Sequence, residues 1–209
     1  MTMQNQTLKI AALLSFVLAA TLTSCSKKDN APATPSLRQD TIVVESIIGM
    51  DDLDPTRSGF IDLYDGKTYN QQQAAANSSQ IDFAYNYHGG GCSSCRFFEN
   101  VKQMSTRTGY VDGFSTLTNS LLAVADSVKA AEFEAVKTPA DIDLLLAKTP
   151  LIRNGAVEIT DRTTDVAVHK IFAFTDKNGK KGLFRISDYV ANVPQGDRAV
   201  LTLYVKMEK

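Results

Sequence analysis

The chain has no tryptophan, two histidines and three cysteines, and no excess of either charge: 22 Lys and Arg stand against 23 Asp and Glu, a net charge of -1. Each shortage excludes something. Balanced charge provides no basic surface for phosphates, so no nucleic-acid partner is expected. Aromatics at 8% without tryptophan give little material for a stacking-based sugar site. Two His and three Cys are too few for a rich metal or catalytic centre, and no cofactor is expected. The apolar run at residues 10–20 is too short to span a bilayer, which takes about 20 residues. What is present is 209 residues, 44% hydrophobic and 22% charged, the composition of a soluble globular domain.

The amino end carries an address. Lys9 precedes the apolar run, and Leu22-Thr23-Ser24-Cys25 resembles the bacterial lipobox, which directs lipidation of the cysteine and cleavage before it. Residues 1–24 are therefore expected to be a lipoprotein signal peptide. Removing 24 residues from 209 leaves 185, starting at Cys25. Acyl chains on Cys25 would anchor the protein to a membrane, each buried methylene contributing about 0.8 kcal/mol. Residues 25–40, with Pro32 and Pro35 and no periodicity, are expected to be the lipidated Cys and a flexible tether. The cluster Lys27-Lys28-Asp29 resembles, in a less acidic form, the export tags of Bacteroidetes surface lipoproteins. The expected location is the bacterial cell envelope, at the outer membrane, with the periplasmic or surface face open.

Residues 41–209 read as one globular domain. Residues 41–48 are rich in β-branched side chains and predict a strand. Residues 59–64 and 67–69 flank Asp65-Gly66 as a hairpin. Asn70 caps a short helix over 71–77. Ile81, Phe83, Tyr85 and Tyr87 alternate along a further strand, one face inward. Leu117, Leu121, Val124 and Val128 recur at helical spacing. Thr138-Pro139 opens a second helix, which stops before Pro150. The last 45 residues form a meander, with Asn178-Gly179 in one turn. Together these predict α+β: a mainly antiparallel sheet of N-terminal and C-terminal strands with a helical insert in the middle.

The segments 59–69, 81–85, 172–175, 179–186 and 204–206 resemble those of small Bacteroidetes envelope lipoproteins. The resemblance implies an envelope location and a strand-rich body. It implies no catalytic residues.

One stretch contains chemistry: His88-Gly89-Gly90-Gly91-Cys92-Ser93-Ser94-Cys95. With Cys25 lipidated, Cys92 and Cys95 can form a small structural disulfide in an oxidising compartment, or remain as two thiols. They can form a redox pair if residues 96–102 are a helix whose dipole lowers the thiol pKa. They can bind zinc or copper with His88, given a fourth ligand from His169 or a carboxylate. Arg96 stands where covalent haem attachment needs His, and no Gly-x-Ser-x-Gly exists to complete an esterase.

Other residues read more simply. Asp51, Asp52 and Asp54 form an acidic turn rather than a calcium loop. Asp62 and Asp82 sit between apolar neighbours and are expected to face solvent on their strands, rather than act as a glycosidase pair. Tyr64, Tyr69, Tyr85, Tyr87 and Tyr110 are core or edge residues, or else a carbohydrate-binding face. Thr41 and Ser127 lie in triplets resembling a short O-glycosylation motif. The function expected is a non-enzymatic binding or structural module on a membrane, with a protein or glycan partner. The alternatives are a periplasmic thiol–disulfide protein using Cys92 and Cys95, and a glycan-binding lipoprotein.

Overall fold

The structure is a computed structural model and describes residues 36–47, 56–88, 95–106, 109–149, 156–159, 168–192 and 198–209. Among the described residues ten strands carry the fold: β1 (Leu37–Glu45), β2 (Phe60–Asp62), β3 (Lys67–Tyr69), β4 (Phe83–His88), β5 (Cys95–Asn100), β6 (Leu121–Val124), β7 (Ala156–Glu158), β8 (Ile171–Thr175), β9 (Lys181–Asn192) and β10 (Arg198–Glu208). They form two five-stranded sheets. Sheet A has the order β1-β10-β9-β8-β6 and sheet B the order β3-β2-β4-β5-β7. Every strand pairing in both is antiparallel.

Alternation builds the core. Leu201, Leu203, Val205 and Met207 of β10, with Phe172, Phe174 and Phe184, face Ile61, Phe83, Tyr85 and Phe98 of sheet B in one buried cluster. Phe98 is its hub. Its ring lies 5.2 Å from Phe184, 5.6 Å from Phe172 and 5.7 Å from Tyr85, all centroid to centroid. Edge-on and tilted contacts at these distances are the favoured aromatic arrangements.

The outer faces are covered as well, by short helices α1 (Gln71–Ala76), α2 (Val101–Met104), α3 (Ala130–Ala135) and α4 (Pro139–Leu146). On sheet A, Phe133, Val136, Ile142 and Leu145 pack against Ile171, Ala173 and Leu183. On sheet B, Ala74, Val101, Met104 and Tyr110 pack against Phe60 and Ala84. No helix among the described residues is long and apolar enough to cross a membrane.

The local signals work where they are self-contained. Asn70 caps α1 by accepting from Gln73 N–H, and Thr138 caps α4 by accepting from Asp141 N–H, each in a reciprocal capping box. The Asn178-Gly179 turn closes the β8–β9 hairpin with Gly179 at φ +80°, a conformation glycine takes without a Cβ clash.

The middle of the chain mixes strands with short helices, so the expected helical insert is shown only in part. Residues 117–128 do not form a helix: residues 121–124 are β6, paired with β8. Their helix-like spacing arises because Leu122 faces the inner core while Ala125, just past the strand, faces α3 and α4. Burial on two sides erases the period of two. Nor do residues 96–102 form a helix. β5 occupies 95–100, and only its last turn, α2, is helical. Phe98 fixes this, since an extended chain puts it into the inner core between β4 and β7. Finally, residues 37–40, expected in the tether, are the first half of β1. Strand β10 runs to Glu208, and Leu37 pairs with it there.

Candidate functional site

Three ionisable side chains meet where one end of sheet A joins sheet B. Asp62 ends β2, Asp82 immediately precedes β4, and Lys177 lies in the β8–β9 turn. Lys177 Nζ is 2.9 Å from Asp62 Oδ1 and 3.3 Å from Asp82 Oδ2. Both aspartates are fully buried, and the lysine side chain is only 5% exposed.

The two carboxylates are held differently. Asp82 Oδ1 accepts from Ser120 Oγ at 2.8 Å and from Lys177 N–H at 2.9 Å, and its Oδ2 accepts from Leu63 N–H at 2.9 Å. Asp62 Oδ1 accepts from Asp65 N–H at 3.1 Å, while its Oδ2 is buried with no hydrogen-bond partner. Two carboxylates facing one ammonium leave a surplus negative charge in a place of low polarity. Burial accordingly pushes the Asp82 carboxyl up, against the pull of the Lys177 charge and the hydrogen bonds from Lys177, Leu63 and Ser120. Burial alone would lower the Lys177 ammonium, but the charges of Asp82 and Asp62 and their hydrogen bonds outweigh it. Its pKa stands above the ordinary lysine value.

These placements correct the expectation that Asp62 and Asp82 face solvent. On sheet B both faces are covered, so a polar residue on the outward phase of a strand does not reach water. The trace in the sequence is the repeated Ile-Asp-apolar triplet, Ile61-Asp62-Leu63 and Ile81-Asp82-Phe83, each acid flanked by buried residues. Lys177 carried no such trace, because a turn lysine is ordinarily solvated.

Other buried polar groups are structural in geometry. Asn86 Nδ2 donates to Glu99 Oε2 on the neighbouring strand. Lys206 Nζ donates to the carbonyls of Phe133, Glu134 and Val136 at 3.0, 3.0 and 3.3 Å, closing the C-terminal end of α3. Burial lowers the Lys206 pKa, partly opposed by Glu134. A shallow cleft of about 250 Å³ opens between α3 and α4, edged by Leu144, Glu132, Asp141 and Lys148.

The remaining candidates are dispersed. Cys25, Cys92 and the Asp51, Asp52 and Asp54 cluster lie outside the described residues. His88 and Cys95 are cross-strand partners in the β4–β5 hairpin, so Cys95 opens a strand and not a helix. The helix-dipole support for a reactive thiol is therefore absent at Cys95. His169 is exposed in a left-handed turn at φ 72°, before β8. Among the described residues no group of three His, Cys, Asp or Glu is placed to hold a metal. Tyr85 and Tyr110 are buried in different clusters, Tyr64 is exposed and Tyr69 half-buried, so these four do not share a binding face. Thr41 is exposed on β1, and Ser127 is exposed in the turn after β6. No protein-family model, no curated protein and no solved structure matches this chain.

Proposed function

We propose that the protein is a lipid-anchored lipoprotein of the bacterial envelope whose domain is a non-enzymatic binding or structural module. The observation that supports this most is how the acidic pair is used. Asp62, Asp82 and Lys177 are closed off from water, and their hydrogen bonds join one sheet to the other. A general acid or base must reach a substrate proton, and these three face protein on every side. The lipobox-like Leu22-Thr23-Ser24-Cys25 supports the anchor. Residues 26–36 would then separate the lipid from β1 by at most about 40 Å when fully extended.

The test is metabolic labelling with an alkyne-bearing fatty acid in a bacterial host, followed by membrane fractionation. The wild type is expected to take up label and sediment with membranes. Cys25→Ser is expected to lose both properties. Label retained by Cys25→Ser would refute the anchor. The same preparation is assayed for insulin reduction. Activity that disappears in Cys92→Ser would overturn the non-enzymatic reading in favour of thiol–disulfide exchange.

A further inference from the structure

We propose that Lys177 and Asp62 become joined by an amide bond between Nζ and Cγ, with Asp82 carrying the protons and water leaving. Four observations point to this bond. The lysine nitrogen already touches Asp62 Oδ1 at 2.9 Å, and Cγ is one bond beyond that oxygen, so a small approach brings nitrogen and carbon to reacting distance. Asp62 Oδ2 has no partner although the residue is fully buried, so no hydrogen bond holds that oxygen in place. Asp82 is instead fixed by Ser120 Oγ, Lys177 N–H and Leu63 N–H, with Oδ2 at 3.3 Å from the same nitrogen. That is the placement of a proton carrier, not of an acyl donor. Finally, the three groups are almost wholly dry.

The chemistry balances without a co-reactant. A proton passes from the Lys177 ammonium to the carboxyl cluster, leaving a neutral amine. Burial pushes the Asp82 carboxyl up, which favours its taking the proton, while the charges of Asp82 and Asp62 hold the Lys177 pKa up and oppose the transfer. The amine attacks Asp62 Cγ and the N–C bond forms. Asp82 takes a proton from nitrogen and returns one to the departing oxygen. The C–O bond breaks and one water leaves. An ammonium and a carboxylate become a neutral amide, which removes two buried charges that are costly to desolvate. In water such a condensation is held back, but fixed neighbours react with effective molarities of about 10⁵–10⁸ M. The bond would link the end of β2 to the β8–β9 turn, 115 residues apart in sequence, and so tie sheet B to sheet A.

Peptide mapping of the full-length protein decides it. Trypsin cuts after Arg57, Lys67, Lys170, Lys177 and Lys180. An amide on Lys177 blocks its cleavage. The expected product is one branched peptide of residues 58–67 and 171–180, lighter than the sum of the two by one water. Peptide 171–177 should be lost. Recovery of free 171–177 and 58–67 at full mass overturns the proposal. So does a water lost from 58–67 alone, which would be cyclisation at Asp65-Gly66. Asp82→Asn keeps the shape of the proton carrier but not its acidity, and should return the unbranched peptides from a protein that still melts cooperatively. A branched peptide in that variant would overturn the role given to Asp82. The wild-type map does not depend on any variant folding.

Discussion

Where peptide mapping finds Lys177 and Asp62 not joined, the two act as an ion pair, and replacing Lys177 by methionine keeps most of the stem and removes the one cation that, among the described residues, faces Asp62 and Asp82. Both carboxylates are fully buried. Taking away one partner of a buried ion pair leaves an uncompensated charge and costs about 3–5 kcal/mol. Here two carboxylates are orphaned together, so the upper end of that range is expected near pH 7. Set against a whole-domain stability of roughly 5–15 kcal/mol, this is a large fraction. With a urea slope of about 2 kcal/mol per molar, the midpoint should fall by about 2.5 M. The pH dependence follows from the sign. Burial already holds the folded-state Asp82 pKa above its ordinary value, and without the opposing ammonium it rises further. The variant then regains stability as pH falls through the folded Asp82 value, and the gap to wild type narrows as pH falls below about 7. Urea titrations of both proteins at pH 7, 5.5 and 4.5 measure it. A midpoint shift that is equal at all three pH values would refute the reasoning, as would a loss under about 1 kcal/mol at pH 7. In the unjoined wild type the Lys177 pKa is raised above its ordinary 10.5. Its contribution is therefore complete below about pH 10.5 and is lost as pH rises through the folded value.

Two further outcomes test the covered faces. Lys206→Met should cost about 2 kcal/mol in chemical denaturation, because three carbonyls at the end of α3 lose a charged donor, offset in part by the desolvation that lowers the lysine pKa. The wild type should gain stability with rising pH between the lowered folded pKa and 10.5, and the variant should lack that rise. Gly182→Ala and Gly179→Ala separate contact from conformation. A Cβ at Gly182 would lie 2.2 Å from Phe174 Cζ and 2.8 Å from the Lys206 carbonyl oxygen, so about 3 kcal/mol or more is expected from overpacking. At Gly179 a Cβ meets nothing within 4 Å, and only the positive φ is penalised, by about 1 kcal/mol. Thermal melts showing equal losses for the two would contradict this account.

The sequence by itself determined the pieces whose causes are local. The Asn70 and Thr138 caps, the Asp65-Gly66 and Asn178-Gly179 turns, and strands β2, β4, β8, β9 and β10 each depend on residues a few positions apart. Their energetics are complete within one turn or one strand. Periodicity failed where a strand is covered on both faces. At β6 and β5 the tertiary structure buries both phases, so the expected helix at 117–128, and the one a redox pair would need at 96–102, gave way to sheet pairing. The first half of β1 was likewise decided by the length of β10, whose Glu208 pairs with Leu37 across 171 residues of sequence. The centre at Asp62, Asp82 and Lys177 belongs wholly to the tertiary structure. Whether an aspartate on a strand faces water depends on which layer lies over it, and a lysine in a turn meets two acids only when distant strand ends converge. Burial and charge pairing are properties of neighbours in space, and 95 and 115 residues of chain separate this lysine from its two partners.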